Sequence, residues 1–161
     1  MTPLYCKLCH MLTLKPMECA YREAEKAFSL EEVPVGAVIV NAISGEIIAT
    51  AHNEMVRRKD PTAHAELLAI QNACLTMGAS RLEDCDIYVT LEPCPMCAQA
   101  ISFARLRRLY FGAYDPKGGG VDHGAHIFNA SSCHHAPEVI GGVEEQKCGH
   151  LLKTFFEKKR Y

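Results

Sequence analysis

The sequence predicts an α/β fold, a three-layer α/β/α sandwich on a mixed sheet, and three observations carry that expectation. A strand, helix, strand run between Ile87 and Gly112 implies parallel pairing, because a crossover returns the chain to the same direction. A hairpin pattern between Val35 and Ala51 adds an antiparallel pair. Amphipathic helices flank these strands at both ends of the chain. With 161 residues, 48% hydrophobic and 22% charged, the chain has the size and balance of one globular domain.

Met17, Ala20, Tyr21, Ala24, Ala27 and Phe28 recur at helical spacing and predict a helix from Met17 to Leu30. After Pro34, Val35 to Val40 reads as a buried strand, Ser44 and Gly45 as its turn, and Glu46 to Ala51 as the returning strand. Asn53 to Thr62 is polar and reads as a loop. Thr62 is a good N-cap for a helix that runs to Met77, where Gly78 can end it. Ile87 to Leu91 is a strand, Pro95 suits the first turn of a helix to Ala104, and Leu109 to Gly112 is another strand. Asp115 to Gly124 is glycine-rich and reads as an exposed loop. His126 to Gly142 has no readable pattern. A last helix, from about Glu144 to Lys159, buries Leu151, Leu152, Phe155 and Phe156.

The net charge of -2 and pI near 6.4 exert no general pull on nucleic acid, so such a partner must meet a local patch. Basic residues cluster at Arg105, Arg107 and Arg108, and again at Lys153, Lys158, Lys159 and Arg160. No apolar run is long enough to span a membrane, and no export signal is evident, so the expectation is a cytoplasmic protein. In a reducing compartment the nine cysteines are expected to serve as metal ligands or buried thiols rather than as disulfides. Cys6, Cys9 and His10 spell a haem-attachment pattern, here read as incidental within a poorly ordered extension over residues 1–16. A single domain is expected over 17–161. Cys133, His134 and His135 are left without a role.

The chemistry lies in two short segments. His64, Ala65 and Glu66 open one helix, and Pro93, Cys94, Pro95, Met96 and Cys97 open another. Cysteines at i and i+3 share a helix face, and the positive helix end favours the thiolates that bind metal. One histidine and two cysteines give Zn²⁺ three ligands and keep a fourth position for water, which marks a catalytic rather than a structural zinc. Glu66 is then the proton carrier. Residues at i and i+2 point roughly 200° apart inside a helix. His64 and Glu66 can therefore share a site only at a helix mouth, where Asp60, Pro61 and Thr62 put it. The combination HxE with PCxxC is specific to zinc nucleobase deaminases, where neither half alone would be.

From Met17 onward the chain resembles the bacterial tRNA-specific adenosine deaminases of the cytidine deaminase-like superfamily. The matching stretches are Val33 to Val40 (VPVGAVIV), Asn53, Asp60 to Glu66 (DPTAHAE) and Tyr88 to Ala98 (YVTLEPCPMCA). Arg105, Tyr110 to Gly112, Asp115 with Lys117 and Gly118, and Phe155 with Phe156 before a basic end also match. The resemblance implies a cytidine deaminase-like fold with a mixed five-stranded sheet, and conversion of adenosine to inosine at the wobble position of a tRNA anticodon stem-loop. It implies one Zn²⁺ held by His64, Cys94 and Cys97, with Glu66 catalytic. It further implies that Asn53 holds the flipped base and that Ala37 or Val38 lies against it. Asp115, Lys117, Phe155, Phe156, Lys159 and Arg160 would bind the anticodon loop in a homodimer. Guanine deaminases share DPTAHAE and EPCPMC, so a small-molecule deaminase acting on guanine or a cytosine compound is the alternative. A zinc-stabilised binding module without catalysis would have no use for Glu66.

Overall fold

The computed structural model describes residues 15–160. The expected extension lies outside the described residues except for its last two positions, and Cys6, Cys9 and His10 lie outside them altogether. Helix α1, Pro16–Ser29, starts on a proline, which needs no hydrogen-bond partner for a missing N–H. The hairpin is β1, Gly36–Asn41, and β2, Ile47–His52. Its turn is stiffened by the Asn41 Oδ1, which accepts the N–H groups of Ile43 and Ser44 at 2.9 and 3.1 Å.

The loop after β2 contains a short helix that the polar pattern hid, α2, Met55–Arg58. The buried Glu32 carboxylate caps it by accepting from the N–H groups of Val56 and Arg57. Helix α3, Ala65–Met77, ends at Gly78 with φ 62° as expected, but its N-cap is His64 and not Thr62. The Thr62 hydroxyl is committed to Asp60 Oδ1 at 2.6 Å, so the local Asx turn takes the capping group. Then come β3, Cys85–Leu91; α4, Pro95–Phe103; β4, Arg108–Ala113; β5, Glu138–Ile140; and α5, Glu145–Lys159.

The sheet order is β2-β1-β3-β4-β5. Strand β1 runs antiparallel to both β2 and β3, while β3, β4 and β5 are parallel, which gives the mixed five-stranded sheet. Strand alternation sends Ala37, Ile39, Ile87 and Val89 into the larger core with Leu68, Ala69, Ala73, Ala98 and Ile101 of α3 and α4. Val38 and Val40 point the other way, against Met17 and Ala20 of α1. Helix α1 lies directly on the sheet: a Cβ at Gly36 would fall 2.0 Å from the Ala20 carbonyl oxygen, so only glycine fits there. Among the described residues no helix is long and apolar enough to cross a membrane.

A charged network fastens α1 to the end of β2. Glu23 accepts from Lys26 Nζ at 2.5 Å and from His52 Nδ1 at 2.9 Å, and Glu54 is bonded by Arg57 and Arg58. Burial pushes both carboxyls up, yet these hydrogen bonds and charges outweigh it and hold both below their ordinary value of 4.5. A carboxyl depressed in the folded state stabilises it above the unfolded pKa, and that contribution is lost as pH falls through the folded value. The melting temperature should therefore drop as pH falls below about 4.5, and less steeply in Glu23→Gln. Equal acid sensitivity of the two proteins, followed by circular dichroism, would contradict the assignment.

Candidate metal centre

The topology brings four chain segments to one end of the sheet: the start of β1, the end of β2, and the ends of β3 and β4. Gly36 N–H donates to Thr90 Oγ1 at 3.1 Å across this end. Open α/β sheets hold ligands beyond the carboxyl ends of their parallel strands. Two helix N-termini meet here. His64 is the N-cap of α3, with φ -74° and ψ 151°, and Cys94 is the N-cap of α4, with φ -68° and ψ 169°.

Extended backbone at each cap lets the residue aim across the gap while the first turn behind it faces inward. Glu66 on α3 and Cys97 on α4 thus join His64 and Cys94, which resolves the i, i+2 difficulty at the helix mouth. His64 Nδ1 lies 3.6 Å from Cys94 Sγ and 3.5 Å from Cys97 Sγ, and all three donor atoms fall within 4.8 Å of one another. Around a tetrahedral zinc with bonds of about 2.3 Å to sulfur and 2.0–2.1 Å to nitrogen, a nitrogen–sulfur edge comes to about 3.5 Å. The donor set fits a zinc ion. Among the described residues no other His, Cys, Asp and Glu group has this grouping, so Cys133, His134 and His135 form no second centre. Instead the Cys133 thiol donates to the His135 carbonyl, and His135 Nε2–H donates to the Leu106 carbonyl at 2.7 Å.

The electrostatics suit a metal. The Cys97 thiol and then the His64 ring stabilise the Cys94 thiolate, bringing its pKa down to about 4 against the effect of burial. Bonding to that thiolate, and then burial, push Cys97 up, while His64 is raised first by its bond to Cys94. One cation would satisfy both sulfurs. Glu66 is 4% exposed, and burial pushes its carboxyl up to about 7, with the negative Cys94 adding to the effect.

Asn53 is buried at the end of β2; its amide donates to the Val33 carbonyl at 3.4 Å and its oxygen accepts the Met55 N–H. Ala37 faces the side of the sheet that carries α3 and α4, whereas Val38 faces α1. Of the two residues expected against the base, Ala37 thus shares the face of α3 and α4, and Val38 the face of α1. Asp115 and Lys117 stand on the glycine-rich loop, where Asp115 Oδ1 accepts from the N–H groups of Lys117 and Gly118. At the end of α5, Phe156 is 48% exposed but Phe155 is only 6% exposed, packed edge-on against Phe28. Phe155 is thus part of the interior, and the exposed aromatic surface here belongs to Phe156. Lys159 and Arg160 are exposed, with Lys159 Nζ 5.5 Å from the Phe155 ring centroid.

Sequence reasoning missed Glu92 and His52. Glu92 is fully buried behind the cysteine turn, and its partners begin at Asp115, too far along the chain for the sequence around Glu92 to signal them. His52, beside Asn53, bonds Glu23 through Nδ1 and has its Nε2 buried 3.8 Å from Glu54.

Residues 12–113 match the model of the cytidine and deoxycytidylate deaminase zinc-binding region. The chain is 51% identical over 144 residues to the tRNA-specific adenosine deaminase of Agrobacterium fabrum, covering 89% of this chain and 93% of that one. To the protein of the same description from Bacillus subtilis it is 46% identical, with 89% and 88% covered. A solved structure from work on A-to-I editing by tRNA:A34 deaminases at the wobble position of transfer RNA superposes with a TM-score of 0.82. It is 50% identical, and the match covers 84% of this chain and 97% of that one. The guanine deaminase of Nitrosomonas europaea shares the fold, with a TM-score of 0.76 at 20% identity.

Proposed function

Because the chain belongs to the cytidine and deoxycytidylate deaminase zinc-binding family, we propose that it converts adenosine to inosine at the wobble position of a tRNA anticodon. The observation that carries this reading is the convergence of His64, Cys94 and Cys97 with the buried Glu66, in a chain about half identical over most of its length to tRNA-specific adenosine deaminases. His64, Cys94 and Cys97 hold one Zn²⁺. When bound, the metal acts as a Lewis acid that makes water nucleophilic near neutral pH.

The rest falls to the protein's own side chains. The Glu66 carboxylate takes one proton from the attacking water and gives it to the ring nitrogen beside C6. It then takes the remaining proton of the added hydroxyl and gives it to the amino group, which leaves as ammonia as the C6 carbonyl forms. Its burial suits this role, since a carboxyl raised toward neutrality gives a proton back as readily as it takes one. Asn53 offers its amide to the edge of the flipped base, and Ala37 leaves room for the purine on the same side of the sheet. Asp115 and Lys117 meet the loop backbone, with Phe156, Lys159 and Arg160 at the far end of the footprint. A loop base is the cheaper target, because extracting a base from a duplex costs a few kcal/mol.

The chain acts as a homodimer in the cytoplasm. Leu75 and Phe103, 82% and 71% exposed near the ends of α3 and α4, support a second copy as their cover. The free thiols of Cys74, Cys85, Cys94, Cys97, Cys133 and Cys148 and a tRNA substrate support the compartment.

The test is to incubate the zinc-loaded protein with anticodon hairpins carrying adenosine or guanosine at the wobble position, and with free guanine, cytidine and adenosine. Inosine is expected in the adenosine hairpin alone. Xanthine from guanine, or uridine from cytidine, with the hairpin untouched, would overturn the reading.

A further inference from the structure

We propose that Glu92 is a positioning residue that clamps the 115–123 loop onto the cysteine turn and thereby sets how tightly the anticodon loop is held; this rests on the tRNA reading above. Glu92 stands two residues before Cys94 and is 1% exposed. Its Oε1 accepts the N–H groups of Val121, Asp122 and His123 at 3.3, 2.9 and 2.9 Å. Its Oε2 accepts the Asp115 N–H at 3.0 Å and the His123 Nδ1–H at 2.8 Å. One oxygen gathers the far end of the loop and the other its beginning, so a single carboxylate closes the segment that displays Asp115 and Lys117.

The rest of the loop is laid on the same support. Gly120 N–H donates to the Pro93 carbonyl at 2.8 Å, and Gly119 N–H to the Asp115 carbonyl at 2.9 Å. A Cβ at Gly119 would lie 2.5 Å from Glu92 Oε1, and one at Gly120 would lie 2.5 Å from the nitrogen of Pro95, the first residue of α4. The backbone therefore rests on the carboxylate and on the helix mouth that carries Cys94. Lys117 and Gly118 are exposed, and the loop has no strand or helix of its own between Asp115 and Gly124. Its order comes from Glu92. An amide cannot replace it, because a glutamine NH₂ would face N–H donors on one side and leave them without an acceptor.

The zinc-loaded full chain, Glu92→Gln and Gly119→Ala separate this role from general stability. Gly119→Ala lifts the loop while keeping the carboxylate, and it carries the test if Glu92→Gln does not fold. Trypsin under native conditions should cut after Lys117 about tenfold or more faster in the variants, with cleavage at other sites unchanged. On the adenosine hairpin, KM should rise about tenfold to a hundredfold, with kcat within about threefold and one zinc per chain retained. Cleavage that is unchanged, or faster at every site together, would overturn the proposal. An unchanged KM with kcat falling in step with zinc content would do the same. If the wild type edits no hairpin, the tRNA reading fails, and the selective cut after Lys117 still decides whether Glu92 holds the loop.

Discussion

Replacing Glu66 with alanine is expected to leave zinc bound and to lower turnover on an anticodon hairpin by roughly 10² to 10⁴ or more, the usual worth of a positioned proton carrier. The expectation follows from geometry. Glu66 shares the mouth of α3 with His64, is 4% exposed, and the charged groups that act on it are those of the metal site, Cys94 and His64. Removing it takes away an acceptor for the water proton while His64, Cys94 and Cys97 keep their places. Burial of this carboxyl also costs the folded state, as its raised pKa shows, so the variant should melt no lower than the wild type. Glu66→Gln, which keeps the volume, should be as inactive as the alanine variant. Near-normal turnover in either, with one zinc per chain by metal analysis, would remove Glu66 from the mechanism.

Cys94→Ala is the complementary case: activity and metal should go together. Cys94 and Cys97 occupy the cap and first turn of α4, and without Cys94 the ion keeps only two protein donors, His64 and Cys97. The loss of zinc affinity should exceed the 10–100-fold that losing an outer-shell partner costs, since a direct ligand is removed. Elemental analysis after dialysis reads it. Full occupancy in Cys94→Ala would contradict the ligand role, and retained activity without metal would contradict the zinc mechanism. Glu66→Ala, with metal and without turnover, and Cys94→Ala, with neither, together divide binding from chemistry.

The metal half of the site was legible because its information is local. Two helix starts, each with a residue able to point across a gap, are written within a few positions of His64 and Cys94. Helices α1, α3, α4 and α5 and four of the strands were legible for the same reason, since their periodicity is internal to each segment. What escaped reading depends on partners far along the chain. Strand β5 has only three residues, Glu138–Ile140, too few to display alternation, and it exists through parallel pairing with β4. The four-residue helix Met55–Arg58 depends on the Glu32 carboxylate that caps it. Thr62 looks like a cap, and only the competing Asp60 shows why it is not one. The facing of Val38 and Phe155, expected in substrate roles by resemblance, is set by strand alternation and by the distant Phe28 ring, not by their neighbours in sequence. The order of the 115–123 loop could not be read from its glycines, because it is imposed from Glu92.

Helix α1 touches both ends of the proposed RNA footprint: Glu23 grips His52 beside Asn53, while Phe28 receives Phe155 and has Lys158 Nζ 4.8 Å from its ring centroid. Among the described residues, the first helix therefore waits for the last one. During translation the early segments can collapse around the hairpin, but the contact between Phe28 and Phe155 forms only after residue 155 has been made. A nascent chain stalled before that point would carry the histidine and the cysteines without a finished surface on which to receive RNA.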